Sequence, residues 1–162
     1  MDLVLGEFSQ GLPDAPNLVR LLLRTLTAAV LGAVLGYERA RTGKDAGLRT
    51  HTLVALGAAL FVMAAVDLGA APGDVSRVIQ GVASGIGFIG AGAILKLSEK
   101  REIRGLTTAA GLWMTAAIGL AAGLGRYGMA ILAAAVAWLV LAVVPSAPAG
   151  DDDTPKAKAR PV

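Results

Sequence analysis

The sequence predicts an all-α polytopic membrane protein, a bundle of five transmembrane helices with its N-terminus outside and its C-terminus inside the cell. Three observations predict it. Apolar residues make up 55% of the 162 while aromatics make up only 4%, so the mean hydropathy of +0.65 is carried by Ala, Leu, Val and Gly. The chain holds 21 glycines, each of which costs about 1 kcal/mol in a soluble helix but lets helix backbones approach closely in lipid. Finally, five apolar runs come near the roughly 20 residues needed to cross about 30 Å of hydrocarbon, and the basic residues fall in blocks between alternate runs.

The first run is Leu18–Tyr37. Asp2, Glu7 and Asp14 precede it with no basic stretch, so it is expected to stay in the mature chain rather than be cleaved as a signal peptide. Arg20, Arg24, Thr27, Leu31 and Glu38 share one helical face, because eighteen residues make five turns and place Glu38 along the axis from Arg20. Arginines near a helix N-terminus oppose its dipole and are costly in hydrocarbon. Arg20 and Arg24 therefore seek anionic partners or water, or reach outward to the headgroups. The other side carries Thr25, Ala29, Gly32 and Gly36, a GxxxG face expected to pack on another helix.

The second run is Leu48–Leu68. The connection into it, Glu38 to Thr52, mixes Arg39, Arg41, Lys44 and Arg49 with Glu38, Gly43, Gly47, Thr50, Thr52 and the only histidine, His51. Basic residues alone suffice for sidedness, so the extra polar groups suggest a hydrogen-bonded turn or an anion site. His51 has no second His or any Cys to form a zinc site, and interfacial hydrogen bonding is the plainer reading of it.

The third run, Val78–Leu97, contains Gly81-Val82-Ala83-Ser84-Gly85-Ile86-Gly87-Phe88-Ile89-Gly90-Ala91-Gly92. Gly85, Gly87 and Gly90 match GxGxxG, but no strand precedes them, so a dinucleotide site is not expected. Ser84 lacks a base in reach, which argues against an intramembrane protease. Close packing through Gly81 and Gly85 is expected; unwinding to expose carbonyls to a substrate is the alternative. Lys96, Lys100, Arg101 and Arg104 lead into the fourth run, Leu106–Gly125, whose Thr108, Gly111, Thr115 and Gly119 form one stripe and whose Gly119 and Gly123 form a second GxxxG. Its hydroxyls serve either backbone groups and neighbouring helices or a polar route. Gly125-Arg126-Tyr127 must turn tightly into the fifth run, Tyr127–Val144.

Lys156, Lys158 and Arg160 join the two basic loops on one side, whereas Asp67, Asp74, Arg77 and Arg126 occupy the other. This alternation orients the five spans. The organisation expected is an external segment over 1–17, a membrane domain over 18–144 and a disordered cytoplasmic tail over 145–162. Asp151, Asp152 and Asp153 lack the spacing of a calcium loop. A pI near 9.6 reflects topology, so no nucleic-acid partner is expected. With no Cys, disulfides and thiol chemistry are excluded, and no cofactor or metal is expected.

Glu38-Arg39, the run Gly43 to Ala59, the Ser84–Gly92 stretch and Arg104-Gly105-Leu106-Thr107-Thr108-Ala109-Ala110-Gly111-Leu112-Trp113 together resemble the MgtC/SapB family, four motifs in matching order over about residues 18–144. The resemblance implies a multi-span protein of the bacterial inner membrane, linked to growth in low magnesium, survival in host cells and inhibition of the membrane ATP synthase. Its signature positions would be Arg20, Glu38, Arg39, Gly47, Leu48, Arg49, Thr50, Ser84, Gly85, Gly87, Gly90, Gly92, Arg104, Gly105, Thr107, Thr108 and Trp113. Several members carry a further ACT-like soluble domain, which does not follow Val144 in this sequence.

Magnesium prefers octahedral oxygen ligands, yet Glu38 and Asp67, the carboxylates bordering the spans, are expected at opposite membrane faces. Cationic residues dominate instead and suit an anion or a lipid phosphate. The first expectation is a transport-associated, non-enzymatic protein whose site gathers Glu38, Arg39, Arg49, Thr50 and Arg104, with Arg20, Arg24, Ser84, Thr107 and Thr108 as further binding candidates. The second is a regulator that binds another membrane protein, such as ATP synthase, through its Gly-rich faces. A homodimer is expected from the same faces: Gly32, Gly36, Gly81, Gly85, Gly119 and Gly123.

Overall fold

The computed structural model describes residues 1, 13–95 and 105–144. These form five α-helices: α1 Ala15–Arg41, α2 Leu48–Asp67, α3 Pro72–Leu95, α4 Leu106–Gly123 and α5 Tyr127–Val143. No strand occurs among the described residues. Four of the helices are long and apolar enough to cross a membrane, and α5 is apolar throughout at 17 residues, the short end of the spanning range. The chain is thus a helical multi-pass membrane protein. The expected tail over 145–162 and the basic residues Lys96, Lys100, Arg101 and Arg104 lie outside the described residues.

Helix boundaries follow local chemistry that hydropathy does not register. Asp14 caps α1, its carboxylate accepting from the Asn17 amide at 3.3 Å, and Pro16 sits in the first turn where a missing amide does no harm. The helix therefore begins three residues before Leu18 and runs on to Arg41. Likewise α3 begins at Pro72, ahead of the apolar run at Val78. The tight turn between α4 and α5 depends on Gly125, whose φ is +72°. It lets the Gly125 amide donate to the Ala122 carbonyl at 2.9 Å and the Arg126 amide to the Ala121 carbonyl at 2.8 Å, a Schellman closure. Helices α1 and α2 end in the same way at Gly43 and Gly69.

Helix α4 is the hub, touching all four others, and most of its residues are buried. Its neighbour α2 is held from two sides by the two GxxxG faces. A methyl on Gly32 would stand 2.8 Å from both the Ala55 methyl and the His51 carbonyl oxygen, and one on Gly36 would stand 2.7 Å from Leu48 Cα. Across α2, a methyl on Gly123 would stand 2.6 Å from the Ala59 carbonyl oxygen, and one on Gly119 would collide with the Ala55 carbonyl. Thus Gly32, Gly36, Gly119 and Gly123 are all spent on packing within the chain. One core joins Ala28, Leu35, Ala55, Ala59, Ile118 and Ala134 of α1, α2, α4 and α5; another joins Ala58, Val62, Ile86, Ala116 and Leu120 of α2, α3 and α4.

Gly81 and Gly85 do not pack as expected. A methyl on either would meet nothing within 4 Å. The reason is that α3 leans chiefly on α4, using the face that carries the buried Ile86 and Gly90, the latter against Ala109. Nor does α3 unwind: it is helical throughout Pro72–Leu95. Large apolar side chains such as Leu26, Leu53, Phe61, Phe88 and Leu132 are more than half exposed, as befits a lipid-facing surface and unlike that of a water-soluble domain.

Candidate functional site

Three helix ends converge at one edge of the bundle: the last turns of α1 and the first turns of α2 and α4. They bring Glu38, Arg39, His51 and Thr108 together as a buried polar cluster, with His51 fully inaccessible and Arg39 3% exposed. Of the buried polar and charged side chains among the described residues, only Thr115 lies elsewhere.

The cluster follows from the packing just described. The glycine faces of α1 and α4 close onto α2, and His51 lies on the α2 stripe that they grip, one turn before Ala55 and two before Ala59. Gly36 would place a methyl 3.0 Å from His51 Cβ, and Gly111 of α4 would place one 3.7 Å from His51 Nε2. The imidazole thus sits where two helices lack side chains. Next to it, Arg39 donates through its guanidinium to the Thr108 hydroxyl at 3.1 Å, a bond that ties the end of α1 to the start of α4.

The hydrogen-bonding capacity of this cluster is largely unused. Glu38 Oε2, Arg39 Nε and both ring nitrogens of His51 are buried without a partner. Unpaired buried polar groups cost on the order of 1–3 kcal/mol each in proteins, so the four atoms single this cluster out as the candidate site. It offers one carboxylate acceptor, one guanidinium donor and an imidazole that can do either.

A dehydrated divalent cation does not fit. Magnesium needs about six oxygens at octahedral positions, whereas here one carboxylate stands beside a guanidinium that repels cations. No group of three or more His, Cys, Asp or Glu gathers anywhere among the described residues.

The structure divides the candidate residues of the sequence into three groups. Glu38, Arg39 and Thr108 meet. Arg49 and Thr50, in the first turn of α2, instead line an adjacent apolar groove between α2 and α3. The rest stand apart. Arg20 is exposed at the far end of α1 and donates to the Asn17 side chain at 3.0 Å. Arg24 lies against the α4–α5 turn, its guanidinium 3.3 Å from where a Gly125 methyl would be. Both therefore sit at the membrane edge opposite Glu38, with the length of α1 between. Ser84 and Thr107 are exposed. Arg104 falls outside the described residues.

His51 is the member of the cluster that its sequence context does not single out as a binding candidate. The signal was present: His51, Ala55 and Ala59 repeat every four residues on a stripe of otherwise small residues, the partner that a GxxxG face requires. The Thr108–Gly111–Thr115–Gly119 stripe of α4 is likewise wholly buried. Thr115 donates to the Gly111 carbonyl at 2.8 Å, so this hydroxyl serves a backbone group of its own helix.

The family model described as the MgtC family matches residues 25–148. Among curated proteins, SrpB of Synechococcus elongatus is 45% identical over 126 residues, covering 69% of this chain and 68% of SrpB. "Putative magnesium transporter YhiD" of Escherichia coli K12 is 42% identical over 129 residues, covering 75% of this chain and 59% of YhiD. MgtC of Salmonella typhimurium is 44% identical over 112 residues, covering 69% of this chain and 47% of MgtC. The chain therefore spans about half to two thirds of the length of these relatives. No solved structure matches it.

Proposed function

The chain belongs to the MgtC family, and from that premise we propose that it is a transport-associated protein of the bacterial inner membrane serving magnesium homeostasis or adaptation. The name of YhiD supports the magnesium connection. The four unpartnered buried atoms of Glu38, Arg39 and His51 carry the site assignment. In this reading the cluster receives an anionic or neutral polar solute, and its role in magnesium adaptation is exerted without direct coordination of the ion. The reading puts the cluster at the cytoplasmic edge, with the N-terminus outside, and the basic residues Arg39, Arg41, Lys44 and Arg49 support that orientation. The role proposed is non-enzymatic.

Flux into proteoliposomes holding the full chain tests the reading, with magnesium and a panel of inorganic and organic anions as solutes. Uptake of an anion that is lost in Arg39→Gln is expected. Absence of flux for magnesium and for every anion tried would remove the transport assignment, and uptake of magnesium alone would reverse the assignment of solute class.

A further inference from the structure

Beside the polar cluster, α2 and α3 diverge to leave an open groove of about 840 Å³. Its buried bed is Ala58, Ile86 and Ala116, the last from α4, and three glycines line its more open part. A methyl on Gly57, Gly81 or Gly85 would meet nothing within 4 Å, and the remaining lining is almost entirely apolar. The exception lies at one end, where Arg49 and Thr50 of the first α2 turn border it. Arg49 is exposed and has no ion-pair partner among the described residues, whose one ion pair joins Arg77 to Asp74 at 3.8 Å.

The length of the groove decides what it accommodates. From Arg49 to Phe61 the α2 wall runs twelve residues, about 18 Å at about 1.5 Å per residue. One leaflet contributes half of a hydrocarbon layer of about 30 Å, so the groove is about one leaflet deep. On the α3 wall the lining runs from Val78 to Ile89, eleven residues further along the chain and about 17 Å at about 1.5 Å per residue, a similar depth. A docking transmembrane helix would fill the apolar trough but its apolar face brings no anion to Arg49. A lipid needs one leaflet, a cation at headgroup level and an apolar trough beneath it.

We propose that the α2–α3 groove binds one anionic phospholipid, with the phosphate at Arg49 and Thr50 and an acyl chain lying over Gly57, Gly81 and Gly85. The open space that a methyl on these glycines would enter is thereby filled. This site is separate from the buried cluster, and it stands or falls independently of the transported solute.

Native mass spectrometry of the full chain in mild detergent tests the proposal, titrating phosphatidylglycerol against phosphatidylethanolamine with identical acyl chains. Retention of one phosphatidylglycerol at least tenfold tighter than phosphatidylethanolamine is expected. Arg49→Gln should weaken phosphatidylglycerol about tenfold, the scale of one charge-assisted hydrogen bond, and bring the two lipids level. Gly85→Leu should displace both lipids while helix content by circular dichroism stays unchanged; Gly81→Val serves if Gly85→Leu does not fold. Equal retention of the two lipids, or retention indifferent to both substitutions, overturns the proposal. So does a dimer that dissociates on Gly85→Leu while lipid retention is unaltered, which would assign the groove to a second copy.

Discussion

Replacing Gly119 by alanine inserts one methyl group where α4 touches the backbone of α2. That methyl would collide with the Ala55 carbonyl oxygen and stand 2.9 Å from both Ala55 Cα and its carbonyl carbon. Nonbonded carbons rest at about 3.5–4.0 Å, so the two helices must part by about 0.6–1.1 Å. The obstacle is backbone, which cannot rotate aside. Overpacking of this kind costs about 1–3 kcal/mol, corresponding to a fall of about 3–9 °C in unfolding midpoint at roughly 3 °C per kcal/mol. Gly123→Ala meets the same helix one turn later, at 2.6 Å from the Ala59 carbonyl oxygen and Val62 Cγ1. A single outward shift of α4 relieves both clashes, so the double variant should lose less than the two single losses added. The assay is thermal unfolding in mild detergent, followed by the fluorescence of Trp113 and Trp138. Gly81→Ala is the control, since its methyl enters open space. A Gly119→Ala midpoint within 1 °C of the parent, or an equal fall for Gly81→Ala, would refute the packing argument.

Three further outcomes test the site and its approach. Arg39→Gln replaces the charge-assisted bond to Thr108 with a neutral one; hydrogen bonds to charged groups contribute about 1.5–3 kcal/mol, so the unfolding midpoint in detergent should fall. A double-mutant cycle with Thr108→Val by detergent unfolding should show the two losses to be less than additive, and simple additivity would contradict the Arg39–Thr108 bond. His51→Met conserves volume roughly and replaces two nitrogens that have no partner, so the midpoint should stay within about 3 °C, a change near 1 kcal/mol. Solute flux in proteoliposomes should nevertheless fall at least tenfold. Gly105→Ala should destabilise by about 1–3 kcal/mol from strain alone, because Gly105 has a φ of +91° and a methyl there would lie 2.6 Å from the Ala93 carbonyl oxygen; a thermal melt equal to the parent would refute this.

Much of the fold was legible before any coordinates. The five apolar runs became the five helices, and the GxxxG pairs Gly32/Gly36 and Gly119/Gly123 became contacts. The reason is that membrane burial imposes a length on each segment and close packing imposes small residues at a spacing of four, and both are local patterns. The site was legible in part. Glu38, Arg39 and Thr108 drew notice as polar residues in apolar surroundings, while Arg20 and Arg24 drew it for the same reason and proved to sit at the opposite edge.

What the sequence by itself determined is therefore the architecture: a helical multi-pass protein, its spans, its packing stripes and its family. The tertiary structure decided which stripes meet. Spacing alone does not say that α2 is the common partner of both glycine faces, so it could not place His51 in the cluster. Nor could it reveal that Gly81 and Gly85, with the same spacing as the packed pairs, stay open. A GxxxG face specifies a close approach but not its partner. That choice depends on how α3 leans on α4 through Ile86 and Gly90, a balance struck among several helices at once.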